Sequence, residues 1–424
     1  MRYLSLLLAV AISVPLLCAQ DDKDRVKAAR ELGKQGTEAI PNLQAMFADG
    51  SIEVRVEVVK GLVDIGTQYS LDPLIAACRD SDPEIQIRAT DGLVNFYLPG
   101  YVKTGLSAHL RRAGSAFKGM FSDTNDQVIE PFLQVRPEVI AALGKVARGG
   151  SSLESRANGA RAVGILRGKA AIPDLLEALR SKDSQVIYES LIALQKIHDP
   201  EVAPRVSFLL RDLDEKVQIT AIETQGLLRN KEALPALRDA FDHARNKKIQ
   251  RAALGAIAMV PDESSRALYM QYFNEKDDGI RAAAVEGIAR LSDAKDLEMV
   301  EKAFEGERRP GPRLALAFAA VSAGKTDVSE FSPLQYLVNT LNSKSFKGVA
   351  EPYLVELSRK PEVREALYRA LDRATSDEKV GIAHVLARSG DRNSVLYLER
   401  LSKDGDLTVS QEGLRAMQTL KARL

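Results

Sequence analysis

The residue types that carry most enzyme chemistry are sparse and scattered in this chain. Its four histidines, His109, His198, His243 and His384, stand far apart, and none is followed by glutamate. A zinc hydrolase would place two histidines and a glutamate on one helical face as HExxH. A nucleophilic serine would sit in GxSxG, and a phosphate cradle would need a glycine-rich turn ahead of a helix. The chain contains none of the three. A metal-binding histidine needs partners at matching spacing, so each of the four reads as a surface or turn residue. Cys78 follows Leu74-Ile75-Ala76-Ala77 and reads as a small buried hydrophobe. Carboxylates are plentiful, but they fall in turns and on polar faces, where helix capping and solvation account for them. No catalytic residue, no metal and no cofactor is expected.

Binding chemistry needs only a row of side chains held at regular intervals, and here the sequence says more. Tyr188, Gln195, Gln218, Glu223, Arg251, Arg281 and Glu286 lie off the apolar stripe of successive helical segments, in corresponding turns. Together they form a candidate partner-binding row on an inner face. The elements that position them repeat. Val186, Val217, Ile249 and Ile280 each open an Ala-rich or Leu-rich segment, at steps of 31, 32 and 31 residues. A single-core domain would not keep such a period; a stack of helix pairs would. The expected fold is all-α, an α-α superhelix of about ten to twelve pairs.

Each pair follows one scheme. The first helix starts near a proline, as in Ile172-Pro173 and Leu234-Pro235, where the missing N–H costs nothing. A short Asp-containing turn follows. The second helix starts after residues able to cap it: Asp183-Ser184, Asp214, Asp277-Asp278. Ala193, Ala221, Gly226, Ala253, Gly255, Ala283 and Gly287 recur inside the second helices. A helical glycine costs about 1 kcal/mol relative to alanine, so the recurrence points to close helix approach.

The composition suits this. Apolar residues make up 45% of the chain with no Trp, so the core is Leu, Ile, Val and Ala. Net charge is +1, from 59 basic and 58 acidic residues, which argues against a nucleic-acid footprint. The first residues read as an export signal. Arg2 supplies the charged start, Leu4 to Leu17 an apolar stretch too short to span a bilayer, and Leu17-Cys18-Ala19 a cleavage site before Gln20. The mature chain would be periplasmic or secreted, with Cys78 as its one cysteine and no internal disulfide.

Two stretches break the period. From Gly92 to Ser122 there is no acidic residue, while Lys103, Arg111, Arg112 and Lys118 are basic. Tyr101, Phe117 and Phe121 belong to the aromatics gathered there. Thr104–Phe121 has an apolar face and a basic face, a pattern able to lie on an anionic membrane surface or grip a partner. It could equally be a longer helix packed on the array. The second break is Lys325–Pro361, helical in pattern but off the spacing. The resulting divisions are residues 1–19 as signal peptide and 20–95 as N-terminal repeats. Residues 96–135 form a basic aromatic-rich insertion and 136–324 the regular array. Residues 325–361 are an irregular helical segment, and 362–424 the C-terminal repeats and cap.

The stretches IPDLLEALRSKDSQVIYESLIALQKI (Ile172–Ile197), LPALRDAFDHARNKKIQRAALGAIAMV (Leu234–Val260) and YFNEKDDGIRAAAVEGIARL (Tyr272–Leu291) resemble the HEAT-repeat family. Their type is the short HEAT-like repeat also seen in phycobilisome lyases. The resemblance covers residues 24–95 and 136–424. It implies a solenoid and leaves function open. The family often places Arg after the conserved Val or Ile; Arg55 and Arg281 keep it, whereas Gln86, Gln218 and Gln250 depart from it. The resemblance therefore implies only a partial Asp–Arg ladder. The His-Glu pairs of the di-iron HEAT hydroxylases are missing. The expected function is an exported, non-catalytic scaffold that binds a protein partner on its concave face. The alternatives are a peripheral membrane or cell-envelope factor docking through residues 101–121, and a bilin-lyase-like enzyme.

Overall fold

A computed structural model describes residues 21–102 and 127–424. It is built from helices, with no strand among the described residues. Lys103, Arg111, Arg112, Phe117, Lys118 and Phe121, and the signal segment 1–19, lie outside the described residues.

The chain divides into two compact units, Met1–Ile129 with Leu133–Val202, and Glu130–Phe132 with Ala203–Leu424. The first holds α1 (21–33), α2 (Ile40–Ala45), α3 (Ile52–Ile65), α4 (Leu71–Ala77), α5 (Pro83–Tyr97), α6 (Pro137–Gly149), α7 (Leu153–Ile165), α8 (Ile172–Ala178) and α9 (Ser184–Ile197). The second holds α10 (Ala203–Val206), α11 (Glu215–Leu227), α12 (Leu234–Asp242), α13 (Lys247–Met259), α14 (Arg266–Tyr272), α15 (Asp278–Leu291), α16 (Leu297–Gly306) and α17 (Pro310–Ser322). It continues with α18 (Pro333–Thr340), α19 (Lys347–Leu357), α20 (Pro361–Ala370), α21 (Ser376–Ser389), α22 (Ser394–Leu401) and α23 (Leu407–Arg423).

Second helices stack on second helices. In the first unit α3 packs on α5, α5 on α7 and α7 on α9; in the second, α11 on α13, α13 on α15, α15 on α17 and α21 on α23. The expected caps start them. The Asp183 carboxylate accepts from the N–H groups of Gln185 (3.1 Å) and Val186 (3.0 Å). Asp214 and Asp277 do the same for α11 and α15, and Thr375 closes a capping box on Glu378. Gly66 ends α3 in the left-handed region at φ 59°, where glycine carries no Cβ penalty. Val186, Val217, Ile249 and Ile280 are all fully buried. Cys78 is buried as read, and burial pushes its thiol up to about 12.

The expectation of close approach at helical glycines holds at Gly226 and Gly287. A Cβ on Gly226 would stand 2.7 Å from the Cα of Ala256, and one on Gly287 would enter the ring of buried Tyr269. Gly255 differs, since a Cβ there would meet nothing within 4 Å. It lies six residues after Ile249, on a side of α13 that no neighbouring helix covers.

Along the turn edge an ion-pair ladder runs between repeats. Arg55 donates to both oxygens of Asp80 (2.8 and 3.2 Å) and to the Asp49 carbonyl (2.9 Å). Arg281 reaches Glu307 (2.9 Å), Arg364 reaches Asp391 (2.8 Å) and Lys379 reaches Asp404 (2.8 Å). The glutamines bridge turns in another way. Gln86 donates to the Asp80 carbonyl (2.7 Å) and accepts from Ser151 N (2.9 Å). Gln218 donates to Leu210 O (3.0 Å) and accepts from Arg245 (2.6 Å). An amide has both a donor and an acceptor, so it joins adjacent turns without a charge.

Candidate partner-binding surface

Counting from the buried residue three past the cap of each second helix from α3 to α15, the sixth residue on is Lys60, Asp91, Arg161 and Ile192 in the first unit and Glu223, Gly255 and Glu286 in the second. In each unit these residues are taken as the inner row. Glu223 is exposed, yet the protein standing around it raises its carboxyl above the usual range through desolvation.

Glu286 and its neighbours form a tight network in the second unit. The Tyr353 hydroxyl donates to Glu286 Oε1 (2.6 Å) and Arg290 Nη1 to Glu286 Oε2 (3.0 Å). Arg290 also donates to both oxygens of Glu356 (3.2 and 3.1 Å), and Arg229 donates to one of them (3.2 Å). Phe318 stacks on Tyr353 with centroids 4.5 Å apart, and the Arg290 guanidinium lies 5.2 Å from the Phe318 ring centre. Burial raises the Tyr353 hydroxyl well above its ordinary value. The sequence pattern singles out Glu286 alone. Tyr353 and Glu356 come from the irregular segment 325–361, and their i, i+3 spacing on α19 is the signal that could have found them.

The first unit has a counterpart. Arg161 donates to both oxygens of Glu189 (3.2 and 2.6 Å), with Arg161 and Glu189 side chains 5% and 7% exposed. Asn158 Nδ2 donates to Asp91 (2.9 Å), and Gln185 donates to Glu189 (2.8 Å). Tyr101 closes the cluster, its hydroxyl bonded to Arg161 and raised by burial. The chain on either side of residues 103–126 is anchored here: the Gly100 and Val102 N–H groups donate to Asn95 Oδ1, and Ile129 N donates to Ile165 O (3.0 Å).

Burial pushes the Asp91 carboxyl up to about 6. Such a group favours folding in its protonated form, so its contribution is present at low pH and is lost as pH rises from about 4, the ordinary value, through about 6. The Asp91→Asn variant is therefore expected to come closest to the wild type in unfolding midpoint near pH 3.5 and to exceed it at pH 8. A difference constant across that range would refute the assignment.

The seven candidate row residues divide by position. Glu223 and Glu286 are on the inner row. Tyr188 and Gln195 are half-buried on α9 and each is engaged with a neighbour. Gln218, Arg251 and Arg281 stand at the turn edge, where Arg251 pairs with Asp277 (2.8 and 2.6 Å) and the other two hold the ladder. Of the seven insertion candidates only Tyr101 is among the described residues.

The histidines also divide. His198 ends α9 in the left-handed region and His243 is exposed. His384 departs from the surface reading: it stands between Glu412 (3.1 Å) and Glu351 (3.7 Å) on adjacent second helices. Its hydrogen bond to Glu351 raises its pKa, opposed in part by burial. No group of three or more His, Cys, Asp or Glu among the described residues could hold a metal ion.

A family model for HEAT repeats matches residues 13–97 and 202–289, and one for the PBS lyase HEAT-like repeat matches residues 155–181. Among solved structures, the complex of CpcE and CpcF of phycocyanin lyase from Nostoc sp. PCC7120 is 16% identical at a TM-score of 0.36, covering 60% of this chain and 88% of that chain. The Escherichia coli protein YibA is 13% identical at a TM-score of 0.41, covering 70% and 95%. Importin beta is 13% identical at a TM-score of 0.38, covering 91% and 57%. No curated protein matches the chain.

Proposed function

This chain is a HEAT-like repeat protein, and we propose that it is an exported, non-catalytic scaffold that binds a protein partner along its inner row. The observation that carries this reading is the exposed Glu223 on α11 and, at the equivalent position of the adjacent α13, Gly255, where a Cβ would meet nothing within 4 Å. A partner lying along this row meets an exposed carboxylate and a position left open by glycine. The adjacent Glu286–Arg290–Glu356 network is held rigid by its own hydrogen bonds, so little side-chain entropy is lost on contact. Repeat stacks present such rows because each repeat adds one equivalent position. Export rests on Arg2, the apolar stretch Leu4–Leu17 and the site before Gln20. No helix among the described residues is long and apolar enough to cross a membrane.

The test is affinity capture from the cell envelope of the source organism with residues 20–424, comparing wild type with Gly255→Arg and Glu223→Lys. Gly255→Arg projects a bulky cation from an uncovered helical position, so the fold is expected to be unchanged or more stable. Each variant is expected to lose the specifically captured protein, with affinity reduced about tenfold or more, as for a contact at the centre of an interface. Undiminished capture by both variants would remove the inner row from the account.

A further inference from the structure

The turn-edge ladder is interrupted between α7 and α9, and a basic groove lies there. In most turns the residue two before the helix cap is an acid: Asp49, Asp80, Asp212, Glu275, Glu307 and Asp404. Its carboxylate accepts from the cap N–H, as Asp80 does from Asp82 (2.9 Å), and at three of these turns it pairs with a cation of the preceding second helix: Asp80 with Arg55, Glu307 with Arg281 and Asp404 with Lys379. Before Asp183 that place is held by Ser181. Its hydroxyl makes the same turn bond, from Asp183 N (3.1 Å), and brings no charge. The ladder cation of the preceding helix is Arg156. Its Nε reaches the Ala147 carbonyl at 3.5 Å, and no carboxylate pairs with it among the described residues.

Arg156 lines a groove of 480 Å3 in the first unit with Arg148, Arg180, Ser181, Lys182 and Leu153. Leu153 is 49% exposed. The groove's own acids are already in use. Asp183 caps α9, Glu177 pairs with Arg180 (3.2 Å), and nearby Asp174 pairs with Arg148 (3.2 Å). The two ion pairs are with exposed arginines, so they exchange readily with a competing anion. In a chain of near-zero net charge this local cationic excess is distinctive.

We propose that this groove docks an acidic, partly apolar peptide segment of a protein partner. One of its carboxylates would sit beside Arg156 as Asp80 sits beside Arg55, and an apolar side chain would cover Leu153. Arginine suits this role because its planar fork matches a carboxylate in two parallel bonds. The groove shares no residue with the inner row, so it stands or falls independently of that reading.

The experiment is fluorescence anisotropy of residues 20–424 with a labelled peptide of alternating aspartate and leucine, against serine–leucine and lysine–leucine controls. The wild type is expected to bind the acidic peptide alone, with affinity falling as salt rises. Ser181→Asp supplies the missing carboxylate in cis; it is expected to weaken binding about tenfold or more while leaving the fold intact or slightly more stable. Arg156→Gln is expected to weaken binding by a similar factor, whereas Lys231→Gln, which removes an exposed cation outside the groove, leaves it unchanged. Equal binding of the serine–leucine peptide, unchanged binding by Ser181→Asp and Arg156→Gln, or no binding of the acidic peptide by wild type would each overturn the proposal.

Discussion

Arg161→Leu is expected to destabilise the first unit by roughly 3–5 kcal/mol, among the largest effects of any single substitution in this chain. Arg161 and Glu189 are both buried and share two hydrogen bonds. Removing the guanidinium leaves the Glu189 carboxylate with Gln185 as its donor among the described residues, far short of what a buried charge needs. Asn158 and Tyr101 also lose a partner. The double variant Arg161→Leu with Glu189→Leu is expected to recover most of the loss, because an apolar pair of similar size often replaces a buried ion pair without penalty. Urea denaturation followed by circular dichroism reads both. The single variant should lower the midpoint of the first unit by about 1 M or more, and the double should return near wild type. A single variant within experimental error of wild type would show that the cluster carries no such coupling.

Gly287→Ala should destabilise the second unit while Gly255→Ala stabilises it, although both replace a glycine inside a second helix. Helix propensity alone favours alanine by about 1 kcal/mol at either site. At Gly287 the added methyl enters the Tyr269 ring, which is 1% exposed and tethered by its hydroxyl to Ile257 O (3.1 Å). The ring cannot swing aside without breaking that bond, so overpacking of roughly 1–3 kcal/mol outweighs the propensity gain. At Gly255 the methyl meets nothing within 4 Å, and the propensity gain stands. Thermal melts of the two variants should therefore move in opposite directions. Shifts of the same sign would contradict the packing described for α14, α13 and α15.

Much of the fold was legible because its signals are local. An aspartate three residues before a buried Val or Ile both caps the helix and sets its phase, so Asp183, Asp214 and Asp277 mark three helix starts from sequence alone. The partial ladder was legible for the same reason, although the way Gln86 and Gln218 bridge turns needed coordinates. The row was harder. Glu223 and Glu286 are six residues past the opening apolar residue, whereas Gln218 and Arg281 are one past it. That difference of about a turn and a half moves a side chain from the inner row to the turn edge. Asn158, Arg161 and Glu189 escaped notice because each pairs with a residue on a neighbouring helix about 30 to 70 positions away, and on α7 and α9 alone their polar residues read as solvated faces. Tyr353 and Glu356 were hidden by the loss of period across 325–361. Gly255 looked like Gly226 and Gly287 by recurrence, and only the environment separates them.

The central claim, that the inner row of the second helices meets the partner, is tested most directly by carbodiimide footprinting of carboxylates with and without the captured protein. Glu223 should be labelled in the isolated chain and protected in the complex. Glu232 and Glu298, exposed at the starts of first helices, should label equally in both. Protection of Glu232 and Glu298 with Glu223 still labelled would place the partner on the opposite face and contradict the account.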